Sequence, residues 1–211
     1  MASARYIPAA SGIDVGGDWY DLVVIDDQRV LLVVGDVSGH GLRVAPTMAS
    51  VRFAALAYAA EDHHPATVLA RLSDLVSAQD HSYFATVLCA LINVSAHSVS
   101  LASAGHIAPL LIDDDGGRFV VIHVGVPIGV AREEPYEEVT VPVSPRCTLL
   151  AFPDGLVERR GEVLDVGLER LRRVAVADRL TLEDLVARVT DDLSSEDHQD
   201  DIAILGVRWR A

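Results

Sequence analysis

Two apolar, β-branched runs, Trp19 to Ile25 and Val30 to Val37, flank the polar tetrad Asp26-Asp27-Gln28-Arg29, and that arrangement specifies a β-hairpin. Pairing outward from the turn then fixes what meets at the open end. Whether the loop is centred on Asp27 or between Asp27 and Gln28, Asp18 falls opposite Asp36 or within one residue of it. Like charges that close across a sheet are unfavourable unless something cationic lies between them. A bound metal ion resolves the conflict.

The same residue type recurs in similar settings: Gly16-Gly17-Asp18, Gly35-Asp36-Val37-Ser38-Gly39-His40-Gly41, Pro153-Asp154-Gly155 and Asp200-Asp201-Ile202. One aspartate beside glycine is ordinary turn chemistry. Four such segments read together as a carboxylate cage for hard divalent cations. Asp36 ends the apolar run Val30-Leu31-Leu32-Val33-Val34-Gly35, Asp154 follows Leu149-Leu150-Ala151-Phe152, and Asp200 and Asp201 precede the last apolar segment. Mg²⁺ and Mn²⁺ take oxygen ligands and keep several waters, so a few carboxylates and a backbone carbonyl can hold two of them. Two such ions can run phosphoryl chemistry.

At 211 residues and 50% hydrophobic content the chain can bury one sizeable core, so residues 1–211 are read as a single domain. The net charge of −14 argues against a nucleic-acid partner, whose phosphates are bound by clustered basic side chains. Cys89 and Cys147 sit in apolar strand-like runs and read as small buried side chains rather than a disulfide or zinc site. No basic region followed by an apolar stretch opens the chain, which makes the cytoplasm the expected compartment. The longest apolar stretch, Val44 to Ala60, is interrupted by Pro46 and Arg52 and does not read as a membrane span.

Leu42 to Ala60 is Ala-rich with Pro46 near its first turn, and Pro65 opens a second helix with Val68, Leu69, Leu72, Leu75 and Val76 on one face. Phe84 to Phe152 alternates apolar runs with turn signals and is read as an antiparallel meander. Helices are expected over Val166 to Ala177 and Leu182 to Leu193, the second opened by Thr181 with Asp184 as a capping box, and a last strand over Ile202 to Trp209. Runs of strands and runs of helices define an α+β layered fold with a mainly antiparallel sheet.

Several segments in this order, Arg5-Tyr6-Ile7-Pro8-Ala9, Gly16-Gly17-Asp18-Trp19-Tyr20-Asp21, Gly35-Asp36-Val37-Ser38-Gly39-His40-Gly41, Ala104-Gly105-His106, Pro127-Ile128-Gly129, Asp154-Gly155-Leu156-Val157-Glu158 and Asp200-Asp201-Ile202-Ala203-Ile204-Leu205, resemble the metal-dependent protein phosphatases, in their bacterial SpoIIE/RsbU-like serine/threonine branch. The resemblance implies a four-layer αββα sandwich, two mainly antiparallel sheets flanked by helix pairs, with two Mg²⁺ or Mn²⁺ ions at one end. Carried over by position, Asp18 would bind one ion and Asp36 would bridge both. The Val37 carbonyl, Asp154 and Asp200 would complete the set, with Asp201 as the alternate to Asp200. The implied reaction is hydrolysis of phosphoserine or phosphothreonine by metal-activated water, without a covalent intermediate. The implied substrate is a phosphorylated STAS-type anti-anti-sigma factor in a partner-switching pathway. The same resemblance makes Leu42 to Ala78 a regulatory switch that answers to an activator protein or sensory domain.

Pro153 departs from the small polar residue that this branch usually carries before Asp-Gly. His40 lies four residues after Asp36, too far along to inherit a general-acid role by position, and reads as shaping the turn. His106, in a loop between apolar strands, reads as a hydrogen-bonded structural residue, whereas His63, His64, His81 and His97 read as solvated. Arg159-Arg160 and Arg170, Arg172 and Arg173 read as surface, with substrate docking as the other reading. Because the first motif begins almost at Met1, the expectation is a stand-alone phosphatase or an excised domain. Two other functions share the pattern: a non-catalytic signalling module of the same fold, and a hydrolase of small phosphoesters.

Overall fold

In the computed structural model, which describes residues 1–7, 17–39, 44–78, 83–131, 134–176, 180–193 and 202–210, the hairpin takes one of the two registers that its turn allows. Strands β2 (Asp18–Val24) and β3 (Arg29–Val37) run antiparallel from Val24 opposite Val30 to Asp18 opposite Asp36, so the loop is centred on Asp27. Asp26 holds that loop: its Oδ1 accepts from the backbone N–H of Gln28 and of Arg29, each at 2.8 Å.

β3 continues onto β4 (Ala85–Asn93), β4 onto β5 (Ser98–Ala104), and β5 onto the short β8 (Val124–Gly125), with β9 (Val139–Pro142) also on β5. The second sheet has the order β1-β11-β10-β6-β7, with β1 (Ala2–Ile7), β6 (Leu110–Asp113), β7 (Gly116–Phe119), β10 (Arg146–Ala151) and β11 (Ile202–Arg210). Helices α1 (Ala45–Ala60) and α2 (Pro65–Ser77) cover the first sheet, and α3 (Leu164–Val176) and α4 (Leu182–Leu193) the second.

Strand alternation sorts the core into layers. On β3 and β4, Leu31, Val33, Val87 and Cys89 face α1 and α2, where they meet Val51, Ala55, Leu69 and Leu72. Their neighbours Leu32, Val34, Leu88 and Ala90 face the other sheet and pack with Leu111, Leu149, Leu205 and Trp209. Leu150, Phe152 and Ile204 turn outward to α3 and α4. Both faces of these strands are covered, which is why they read as unbroken apolar runs. The result is the four-layer αββα sandwich.

The segment Phe84 to Phe152 differs from a single meander. It starts in the first sheet, crosses to the second as β6 and β7, and returns as β8, which pairs parallel to β5. β1 is an edge strand that the sequence pattern does not announce, because it is short and its residues are alternately exposed and half-buried. The α4 cap forms, with the Asp184 N–H donating to Thr181 Oγ1 at 3.1 Å and the Thr181 hydroxyl donating to Asp184 Oδ2 at 2.6 Å.

Candidate metal centre

The open end of the hairpin concentrates oxygen donors. Asp18 begins β2 and is buried, Asp36 stands directly across from it near the end of β3, and Val37 follows. The Val37 N–H donates to the Gly17 carbonyl at 3.1 Å, which extends the ladder one residue past the strand. A side chain at Gly17 would overlap both the Val37 carbonyl oxygen and Asp36 Oδ1. Glycine is therefore what lets those two oxygens face one small space beside Asp18. Behind them, the Trp19 ring lies where any Gly35 side chain would be, and with Trp19 only 4% exposed this packing holds the two strand ends rigidly.

Backbone pairings carry this edge across the sheet. The Ser38 N–H donates to the Phe84 carbonyl at 2.8 Å, and the Phe84 N–H donates to Ser38 Oγ at 3.2 Å. Ala85 and Ile128 exchange bonds of 2.9 and 2.8 Å, and the Gly105 N–H donates to the Gly125 carbonyl at 2.7 Å. Gly105 has φ +71 and packs against Pro127, where a side chain would collide. The Ala104-Gly105-His106 and Pro127-Ile128-Gly129 segments thus build the rim next to Asp36. Their sequence gave order and spacing but no hint of these pairings.

Asp154 reaches the same end of the sandwich from the other sheet. The connection 105–109 carries the chain from the end of β5 to the start of β6, and Leu110 pairs with Leu150 near the end of β10. Asp154 follows in a single 3₁₀ turn, Asp154–Leu156, where its carbonyl accepts from the N–H groups of Val157 at 2.8 Å and Glu158 at 2.7 Å. Phe152, Leu156 and Val157 are buried on either side, so the exposed Asp154 is held out from a fixed base.

His106 sits in the crossing and is 3% exposed. Its Nδ1 lies 2.9 Å from the Ile107 carbonyl, an acceptor, so Nδ1 carries the proton. Its own backbone is clamped by Ser103, whose hydroxyl donates to the His106 carbonyl at 2.6 Å and whose Oγ accepts from the His106 N–H at 3.1 Å. Burial pushes the imidazole pKa down, while the Ile107 carbonyl and the negative charge of Asp154 oppose that shift. The structural role expected for His106 is present at Nδ1; Nε2 is buried without a hydrogen-bond partner among the described residues. His97 is not solvated as its polar turn implies: it is half-buried, with φ +48 and its Nδ1 enclosed.

Asp200, Asp201, His40 and His81 lie outside the described residues. Among the described residues no three His, Cys, Asp or Glu side chains gather at one point; of the expected ligands, Asp18, Asp36 and the Val37 carbonyl share one strand end, and Asp154 stands at the same end of the sandwich. All of these donors are oxygen, the set that a hard cation takes and a soft one does not. Cys89 and Cys147 are buried in the core, away from this chemistry.

A sandwich of two sheets between helix pairs, with acids at the joined ends of both sheets, is the frame of a known phosphatase class. The profile of the stage II sporulation protein E (SpoIIE) family matches residues 26–210, and the chain belongs to that family. It is 26% identical over 168 residues to the phosphoserine phosphatase RsbU of Bacillus subtilis, covering 74% of this chain and 50% of RsbU. The chain thus spans about half the length of that relative. Among solved structures it is similar to the RsbU and RsbW domains of Rv1364c from Mycobacterium tuberculosis, with TM-score 0.84 and 25% identity over all of this chain and 60% of that one. It also shares its fold with the PP2C phosphatase domain of Bacillus subtilis SpoIIE, with TM-score 0.86 and 16% identity over 99% of this chain and 63% of that one.

Proposed function

We propose that this chain is a Mg²⁺- or Mn²⁺-dependent protein phosphatase domain, spanning residues 1–211, that hydrolyses phosphoserine and phosphothreonine. The observation that carries the reading is the cross-strand pair Asp18 and Asp36, set beside the Val37 carbonyl with Gly17 against both the Val37 carbonyl oxygen and Asp36 Oδ1. Two carboxylates at one strand end are stable together when a divalent cation offsets their repulsion.

In this reading Asp18, Asp36, the Val37 carbonyl, Asp154 and Asp200 hold two ions, with Asp201 the alternate to Asp200. Bound there, the ions supply the positive charge that acidifies water near neutral pH and offsets the phosphoryl oxygens. The chain's own task is placement. Gly17 keeps the Val37 carbonyl and Asp36 accessible, the Ser38–Phe84 pair fixes the peptide that bears the Val37 carbonyl, and the buried Phe152, Leu156 and Val157 fix the turn that presents Asp154.

The substrate that fits best is a phosphorylated STAS-type anti-anti-sigma factor in the cytoplasm, with an activator protein or sensory domain acting on α1 and α2. Similarity to RsbU, named a phosphoserine phosphatase, and to a chain that joins RsbU and RsbW domains supports that reading. A net charge of −14 disfavours nucleic acid, and no described helix is long and apolar enough to cross a membrane.

The test is phosphate release from an aryl phosphate across Mn²⁺ and Mg²⁺ titrations, with Asp36→Asn as control. Activity that rises with metal and vanishes in the variant supports the reading. Metal binding without turnover of aryl phosphate or a phosphoserine peptide points instead to a signalling module of the same fold. Faster turnover of nucleotides or sugar phosphates than of phosphopeptides would replace the protein substrate with a small one.

A further inference from the structure

The metal-site reading leaves His106 without a task. His106 is 3% exposed, its backbone is clamped twice by Ser103, and its Nδ1–H is committed to the Ile107 carbonyl. That commitment turns the opposite ring nitrogen into an acceptor, and Nε2 is enclosed without a donor among the described residues. A buried polar atom left in that state is costly, so it ordinarily marks a bound water or ligand. The ring lies in the crossing between the sheets: Leu110 pairs with Leu150, and His106 and Asp154 each lie four residues beyond that pair, at the same end of the β6–β10 ladder.

Two acceptors that share one locale cannot bond each other. Only a species with two donor hydrogens satisfies both, and water is the small one. We propose that His106 is a positioning residue for the Asp154 half of the centre: its Nε2 and the Asp154 carboxylate share one water, which fixes that carboxylate for a divalent cation. This rests on the phosphatase-site reading of Asp154 and extends it to a residue that touches neither the cation nor the phosphoryl group. Histidines that shape a metal site from behind its ligands typically change affinity by about 10–100-fold when lost.

Two substitutions separate this role from plain packing. His106→Asn keeps a side-chain N–H near the Ile107 carbonyl and lacks the distal acceptor; His106→Gln carries an oxygen out toward the Nε2 position. Mn²⁺ binding to each purified protein is measured by calorimetry, alongside melting in EDTA. The expected result is binding at least tenfold weaker in His106→Asn, largely recovered in His106→Gln, with the two variants melting alike in EDTA. Equal Mn²⁺ affinity in wild type and His106→Asn overturns the role while leaving the metal site standing. Absence of Mn²⁺ binding by the wild type overturns the metal site itself and this role with it. A crystal structure of the wild type grown with MnCl₂ decides independently of any variant. Water within about 3.2 Å of both Nε2 and an Asp154 oxygen supports the role, and an Nε2 that is dry or bonded to protein overturns it.

Discussion

Asp18 and Asp36 are direct partners across the β2–β3 ladder, and the next residue along, Val37, turns its carbonyl toward the space that Gly17 leaves open. The position is set by counting outward from a turn centred on Asp27, so neither acid can slip away from the other without moving every side chain of the hairpin to the opposite face. If Asp36 bridges two ions, Asp36→Asn removes several kcal/mol of charge stabilisation. The expected outcome is a loss of turnover of about a thousandfold or more, at about 1.36 kcal/mol per decade. Melting reads the same site without turnover. Saturating Mn²⁺ at about 100 times its dissociation constant should stabilise the wild type by about 2.7 kcal/mol and raise its Tm by roughly 5–10 °C. The variant should keep its circular dichroism spectrum and lose that metal-dependent rise.

Gly17 makes a sharper test, since it carries no functional group to lose. Any Cβ there overlaps the Val37 carbonyl oxygen and Asp36 Oδ1. Gly17→Ala should therefore push both oxygens off their positions and lower turnover at saturating substrate by at least about a hundredfold, or roughly 2.7 kcal/mol. Overpacking of this kind costs about 1–3 kcal/mol in stability, read by urea unfolding. Wild-type turnover in a folded Gly17→Ala protein would remove the Val37 carbonyl from the centre.

The hairpin, with its register to within one residue, the four helices and the last strand were legible because each has a strong local signal. Asp26-Asp27-Gln28-Arg29 fixes one turn, Pro65 opens α2, and Thr181 with Asp184 opens α4. The crossing of residues 105–109 between sheets was not, because apolar runs such as β5 and β6 carry no mark of which sheet they join. β1 lacks a strong mark for a similar reason: an edge strand pairs on one side only and needs no long apolar run. At the site, the aspartates stand out by type and by glycine neighbours. The rim does not, since Ser38, Phe84, Ala85 and Ile128 act through backbone bonds that any sequence could make. His106 was legible as structural, but the orphaned Nε2 depends on burial and on the tautomer that Ile107 imposes.

The Asp154 turn depends on α3, and one contact isolates that dependence. A side chain at Gly167 would overlap the Val157 carbonyl, so α3 lies directly against the turn that presents Asp154. Gly167→Ala should cost about 1–3 kcal/mol by urea unfolding and raise the Mn²⁺ concentration for half-maximal activity, because the turn must shift to make room. Gly161→Ala is the control. That residue has φ +86 with open space around it, so its alanine costs about 1–2 kcal/mol of backbone strain and should leave the Mn²⁺ requirement unchanged. Equal metal requirements in both variants would detach α3 from the centre.

The two thiols give a prediction with a definite pH sign. Cys89 is wholly buried, which drives its pKa far above the ordinary thiol range, and burial together with the nearby Asp113 charge pushes Cys147 up to about 12. Folded-state values above the unfolded value of about 8.5 mean that both thiols stay protonated in the native protein while those of the unfolded chain ionise. Their contribution to stability is then complete below about pH 8.5 and is lost as pH rises from there toward the folded values. Each thiol should remove about 1.4 kcal/mol per pH unit once the unfolded chain is fully ionised. Between pH 8.5 and 10.5 the wild-type Tm should fall more steeply than that of a Cys89→Ala, Cys147→Ala double variant. At pH 8 neither thiol of the native protein should react with Ellman's reagent until urea unfolds the chain. Parallel pH profiles for the two proteins, or rapid labelling of the native wild type, would show that at least one thiol is not held in the core.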